Sequence, residues 1–145
     1  DVCASDLAAI SRGTQWFGEA GNSQKMKLVL NAWLISMMQG IAESAQLAKT
    51  LGFTPDQLWS ALEGGPLAAP YVKVKLDAIA SEQFTPQMQL AHALKDARLA
   101  LSLAEPHTMP GLENIAELWQ QAADAGYAGE DLSAVYQWLS PSSKA

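Results

Sequence analysis

Apolar residues recur at helical spacing along most of the chain, and one run dominates. From Asn22 to Leu51 the sequence reads NSQKMKLVLNAWLISMMQGIAESAQLAKTL. Its centre is apolar on all sides (Leu28, Val29, Leu30, Ala32, Trp33, Leu34, Ile35, Met37, Met38), the pattern of a helix wrapped by other elements. From Gly40 it turns amphipathic, with Glu43, Gln46 and Lys49 set against Ile41, Ala45 and Ala48, and Gly52 is suited to end it. About thirty residues rising ~1.5 Å each make a helix of roughly 45 Å, long enough to be the axis of a domain.

Shorter helices are predicted to follow. Thr54-Pro55-Asp56-Gln57 combines a capping threonine, a proline at the first helical position and a glutamine three residues after the cap. That helix carries Leu58, Trp59 and Leu62 and breaks at Gly64-Gly65-Pro66. After Pro70, Val72, Leu76 and Ile79 recur at helical spacing, with Lys73, Lys75 and Asp77 between them, to about Ala80. Thr85-Pro86 repeats the start signal and predicts a helix to about Glu105. Pro106 and Pro110 bracket a loop. Leu112, Ile115, Leu118 and Trp119 mark a helix ending near Gly126, and a last one spans about Glu130 to Leu139 before Ser140-Pro141. Residues 141–145 are expected to fray. In residues 1–17, Ser5-Asp6 suits the cap of a short helix through Ile10, and Thr14 to Phe17 resembles the end of a strand. No stretch shows the alternation of a half-buried strand, so the predicted class is all-α, a long central helix wrapped by shorter ones.

Composition narrows this picture. At 145 residues and 49% hydrophobic the chain is one globular domain's worth, with 18–140 as the helical unit. Charged residues make up 17%, below the usual ~25%, which points to surface covered by a partner subunit or another domain. A net charge of −6 without a Lys/Arg cluster argues against nucleic acid. The longest apolar run, Leu28 to Met38, contains Asn31 and Ser36 and is too short to span a bilayer, so no membrane role is expected. Cys3 is the single cysteine, which excludes an intrachain disulfide and fits a reducing compartment, the cytoplasm. The start at Asp1 without methionine suggests a fragment or a processed product.

Few residues are equipped for chemistry. His92 and His107 have no nucleophile motif beside them and read as structural or surface residues, and no metal-ligand spacing is present. Gly18, Gly21 and Ser23 precede the long helix. They suit either a tight turn or the approach of a ligand to a helix N-terminus, without the context of a dinucleotide fingerprint. Lys27 and Asn31 lie four apart and share a helix face in apolar surroundings. On residue type alone Lys27 is either a lysine snorkelling from an apolar patch or an acid/base with a depressed pKa. Lys95-Asp96 is a second polar pair in an apolar helix, which a solvated face paired with Arg98 would also explain.

Taken in order, these residues resemble the C-terminal domain of the β-hydroxyacid dehydrogenase family. That family includes 3-hydroxyisobutyrate dehydrogenase, tartronate semialdehyde reductase and the glyoxylate/succinic semialdehyde reductases, relatives of 6-phosphogluconate dehydrogenase. The family pattern G-x-x-G-x-G-x-x-x-K-x-x-x-N is matched by Gly18, Gly21, Ser23, Lys27 and Asn31, with Ser23 where glycine is usual. The K-D-x-x-L-A element is matched by Lys95, Asp96, Leu99 and Ala100. An acidic helix position is matched by Glu43, and the G-x-x-x-x-D-x-S-A run by Gly126 to Ala134 with Asp131.

The resemblance implies an NAD- or NADP-dependent oxidoreductase interconverting a small anionic hydroxy acid and its semialdehyde. Lys27 would be the catalytic acid/base, and Asn31, Gly21 and Ser23 would bind substrate. Lys95 and Asp96 would lie on the cofactor side. Family members place a Rossmann domain first, so residues 1–17 would be its tail and the isolated chain would be inactive. The chain would associate as a homodimer or tetramer through the long helix and its flanking helices. The main competing reading is a non-enzymatic helical dimerisation module derived from the same family, which the retained Lys27 disfavours.

Overall fold

The computed structural model describes residues 18–143; the helix and strand expected within residues 1–17, Cys3 and the last two residues of the tail lie outside the described residues. The helices are α1 (Asn22–Thr50), α2 (Pro55–Leu62), α3 (Pro70–Ser81), α4 (Leu90–Leu103), α5 (Pro110–Ala122) and α6 (Val135–Leu139). A π-helical turn spans Ala123–Tyr127, and 3₁₀ turns span Leu132–Ala134 and Pro141–Ser143. Among the described residues there is no strand, only an isolated bridge between Gln89 and Asp131. The class is all-α, as the pattern predicts.

Local signals set the ends of the first helices. Gly52 takes φ 88°, and α1 closes in a Schellman motif: Phe53 N–H donates to Ala48 O at 2.8 Å and Gly52 N–H to Lys49 O at 3.1 Å. At α2, Thr54 Oγ1 accepts from Gln57 N at 3.1 Å while Gln57 Oε1 accepts from Thr54 N at 2.9 Å, completing the capping box.

All the other helices pack against α1. Its inward face buries Ile35, Met38, Ile41, Ala42 and Ala45 against Leu76, Leu90, Leu112, Trp119 and Val135. Each large apolar side chain removed from water in this way contributes about 1.5–3 kcal/mol. Trp119 is fully buried, and its indole N–H donates to Gln39 Oε1 at 2.8 Å; Gln39 in turn donates to Glu43 at 2.8 Å. Gln46 ties α1 to the end of α6 by donating to Tyr136 O at 2.7 Å and Ser140 Oγ at 2.8 Å. The wrapping leaves one stripe of α1 open, where Val29, Trp33 and Leu47 are exposed.

The start signal at Thr85-Pro86 does not open a helix; α4 begins at Leu90. Tertiary pairing overrides the local cap. Segment 84–91 lies along segment 128–132: Asp131 N donates to Phe84 O, Leu132 N to Met88 O, Leu90 N to Glu130 O and Ala91 N to Ala128 O. The orphan N–H groups that open α4 are thus satisfied by backbone carbonyls from across the fold. The final helix also starts later than expected. Asp131 caps the 3₁₀ turn by accepting from Ser133 N, and regular α-helix begins only at Val135.

Lys75, read from sequence as one of the polar positions between the apolar ones, is 3% exposed. Its ammonium pairs with Asp131 Oδ2 at 2.9 Å and lies 5.4 Å from the centre of the Tyr71 ring. Asp131 also accepts from Gln87 N at 3.0 Å, Met88 N at 3.3 Å, Ser133 N at 3.1 Å and Ser133 Oγ at 2.5 Å. Burial alone would raise the Asp131 carboxyl. The Ser133 hydroxyl and the Lys75 ammonium outweigh it and hold the group below its ordinary value.

Candidate functional site

The turn before α1 is built for a tight reversal. Gly18 and Gly21 take φ 87° and 92°, a region that costs a side-chain-bearing residue about 1–2 kcal/mol. Gly21 is the N-cap of α1; its carbonyl accepts from Lys25 N at 3.1 Å, and no described side chain caps the helix. Ser23 lies half-buried in the first helical turn. Its backbone is ordinary right-handed helix, so serine in place of the family glycine strains nothing there.

Lys27 is half-buried one turn further on, and Asn31, one turn beyond that, is 7% exposed. Lys25, on the other side of the helix, is exposed. From α4, Asp96 reaches α1: Asn31 Nδ2 donates to Asp96 Oδ2 at 2.8 Å across 65 residues of sequence. This contact fixes the orientation of the Asn31 amide. A carboxylate only accepts, so Asn31 must present its NH₂ to Asp96 and keep Oδ1 as a free acceptor. Two elements separate in sequence, the K-x-x-x-N run and the K-D pair, therefore meet through one hydrogen bond.

Lys95 goes elsewhere. One residue, ~100°, around α4 from Asp96, it is exposed and lines a shallow groove of about 430 Å³ with Arg98, Gln120 and Asp124. Arg98 donates to Gln120, which donates to Asp124 at 2.8 Å. Both histidines are exposed, and His107 holds a left-handed φ of 65° in the loop before α5.

Sequence reasoning missed the buried pair of Lys75 with Asp131. A usable signal existed: positions 72, 75, 76 and 79 share a helix face, so Lys75 falls on the side that Val72, Leu76 and Ile79 bury. The Gln39 side chain, held between Trp119 and Glu43, left no comparable trace in the pattern.

Residues 21–139 match the family model described as "NAD-binding of NADP-dependent 3-hydroxyisobutyrate dehydrogenase". Among curated proteins the chain is 36% identical over 138 residues to the cytokine-like nuclear factor N-PAC of Aedes aegypti, covering 94% of this chain and 25% of that protein. The chain thus spans about a quarter of the length of the curated relatives it matches. A 3-hydroxyisobutyrate dehydrogenase of Mycobacterium tuberculosis, solved with L-serine, superposes with a TM-score of 0.74 at 28% identity, over 84% of this chain and 45% of that one. Psf3, solved with NADP+ and 2-OPP, gives a TM-score of 0.80 at 17% identity, over 96% of this chain and 49% of that one, a likeness of fold. In sequence and architecture the chain belongs to the family of that 3-hydroxyisobutyrate dehydrogenase domain.

Proposed function

We propose that this chain is the substrate-side domain of an NAD(P)-dependent oxidoreductase that interconverts a small anionic hydroxy acid, of the 3-hydroxy acid type, and its semialdehyde. The observation that carries the reading is the Asn31–Asp96 hydrogen bond, which joins both motif elements beside Lys27. Lys27, half-buried at the head of this seam, moves the proton of the substrate hydroxyl. Asn31, with its NH₂ turned to Asp96, offers Oδ1 to the Lys27 ammonium or to that hydroxyl. Asp96 acts as a positioning residue through Asn31. The N-terminus of α1 at Gly21 and Ser23, where no described side chain caps the helix, suits a carboxylate, because its N–H groups lie at the positive end of a long helix.

NAD(P), when bound, supplies the hydride acceptor or donor. The cationic edge formed by Lys95 and Arg98 fits an anionic dinucleotide, with most of its contacts coming from a Rossmann domain outside this chain. The isolated chain would therefore not turn over substrate. Its single cysteine supports a cytoplasmic setting.

A second reading is favoured by one finding, the 36% identity to a protein named as a nuclear factor: a helical module without catalysis. The two separate in one experiment on the full-length protein with NADH, NADPH and a panel of small semialdehydes. Lys27→Ala is expected to lower kcat by about 10²–10⁴-fold with little change in KM. Unchanged turnover removes Lys27 from catalysis, and absence of turnover in the unaltered protein favours the module.

A further inference from the structure

Lys75 and Asp131 are charged side chains buried to 3% and 2% exposure, and the chemistry assigned to Lys27 and Asn31 uses neither. Apolar residues of similar volume in place of such a pair are commonly neutral or stabilising, so cohesion alone does not call for it. What the pair adds is position. A fully hydrogen-bonded carboxylate has one place to be, whereas apolar side chains tolerate a slide along a helix axis.

The slide that matters is that of α4. Helix α4 runs opposite to α1: its first turn is bonded to segment 128–132, which leads on to Tyr136, the partner of Gln46 well along α1. Asp96, six residues into α4 and ~9 Å further along its axis, meets Asn31 near the start of α1. Among the described residues the backbone of α4 is tied to the rest of the fold at Leu90 and Ala91, while its last turn is closed by Ala104 N–H on Ala100 O, within α4 itself. The height of Asp96 is therefore set where α4 begins. There Asp131 Oδ1 accepts from the Gln87 and Met88 N–H groups of the preceding loop, and Oδ2 accepts from Ser133 and from the Lys75 ammonium of α3. The ammonium is itself located by the Tyr71 ring one turn earlier on α3, 5.4 Å away. A slip of α4 by the rise of one residue, ~1.5 Å, would stretch a 2.8 Å bond lying across the helices to about 3.2 Å, the end of the normal range.

We infer that Lys75 and Asp131 are positioning residues for the candidate site: together they fix the axial register of α4, and through Asp96 the orientation of the Asn31 amide beside Lys27. Neither touches the reacting atoms. Their effect on turnover rests on the catalytic reading above; their effect on the Asn31 amide does not.

The test compares Asp131→Asn, Lys75→Met and the double variant with Leu112→Ala. The last truncates a core side chain of α5 that has no part in the Asp131 network and serves as the control for lost stability. All are measured where far-ultraviolet circular dichroism shows them folded. In this chain the Asn31 side-chain NH₂, assigned by the loss of its NMR resonances in Asn31→Ser, should show one proton shifted downfield by Asp96. That shift should be lost in Asp131→Asn, reduced in Lys75→Met and kept in Leu112→Ala. In the full-length protein, with NADH or NADPH and small semialdehydes, Asp131→Asn should lower kcat by about 10–100-fold with little change in KM. Lys75→Met should lower it less, the double variant no more than Asp131→Asn alone, and Leu112→Ala should keep it. If Asp131→Asn does not fold, Lys75→Met decides by the same readouts, since its carboxylate keeps the backbone donors. An unmoved Asn31 resonance, or a kcat that falls as far in Leu112→Ala as in the pair variants, overturns the inference. If the unaltered full-length protein turns nothing over, the catalytic reading falls and the Asn31 resonance alone decides the register.

Discussion

Removing the Asp131 carboxylate is expected to destabilise the fold by about 3–5 kcal/mol at pH 7. Asp131→Ala strands the Lys75 ammonium at 3% exposure with its remaining acceptor, Gln87 Oε1, at 3.4 Å. It also deprives the N–H groups of Gln87, Met88 and Ser133 of their acceptor. At roughly 3–4 °C per kcal/mol for a chain of this size, the thermal midpoint falls by about 10–20 °C. Lys75→Met is gentler, about 3 kcal/mol, because the carboxylate keeps Ser133 and the backbone donors. In the double variant no charge is stranded, so its cost should fall short of the sum of the singles by about 2 kcal/mol. Urea unfolding followed by far-ultraviolet circular dichroism measures all of these, and the buried pair should respond little to added salt. The pH dependence has a definite sign. The folded-state pKa of Asp131 is depressed, so its contribution is complete above the unfolded value and is lost as pH falls through the folded one. The gap between the unaltered chain and Asp131→Asn should be full at about pH 6–7 and close below about pH 4. A cost under about 1 kcal/mol for Asp131→Ala, or strictly additive singles, would refute the assignment of this pair as a buried, coupled unit.

Two further outcomes follow from local chemistry. The Tyr71 hydroxyl is buried without a hydrogen-bond partner among the described residues, and burial, then the Asp131 charge, pushes its ionisation up. Tyr71→Phe should therefore leave stability unchanged or raise it by up to about 1 kcal/mol in urea unfolding, whereas a clear loss would reveal a bond to the hydroxyl. Thr54→Ala removes the capping box of α2 and should cost about 1 kcal/mol, read as faster amide exchange across Pro55–Leu62; unchanged exchange there would mean that packing alone holds α2.

What the sequence disclosed and what it hid divide along the range of the interactions. The Gly52 stop, the Thr54 capping box and the apolar spacing of α1 act within a few residues, so they were legible and hold in the fold. Thr85-Pro86 is an equally good local signal, yet it fails because the backbone of 84–91 pairs with 128–132. The site shows the same division. Lys27 and Asn31 were readable as a pair on one helix face. The bond from Asn31 to Asp96 crosses 65 residues and leaves no periodic trace. Lys95 shows the converse, since adjacency to Asp96 in sequence implied a shared location and the ~100° step of the helix sends the two side chains apart.

The buried ion pair and the candidate site are mechanically one assembly. The Asn31–Asp96 bond can hold its 2.8 Å geometry only if α4 keeps its height and rotation against α1. Ridge-and-groove packing fixes the tilt of α4, but register along a helix axis needs a stop at one end. That stop is the loop before Leu90, where Gln87 and Met88 donate to Asp131 Oδ1 while Leu90 and Ala91 donate to the carbonyls of Glu130 and Ala128. The loop is anchored as firmly as Asp131 is, and Asp131 stays ionised in the interior because Lys75 from α3 and Ser133 from the following turn hold its other oxygen. Buried ion pairs contribute little net stability compared with well-packed apolar residues. Here the pair connects α3, the start of α4 and the turn before α6, three elements that hydrophobic contact alone would let slide. Its consequence is the axial position of Asp96, and through it the way the Asn31 amide faces.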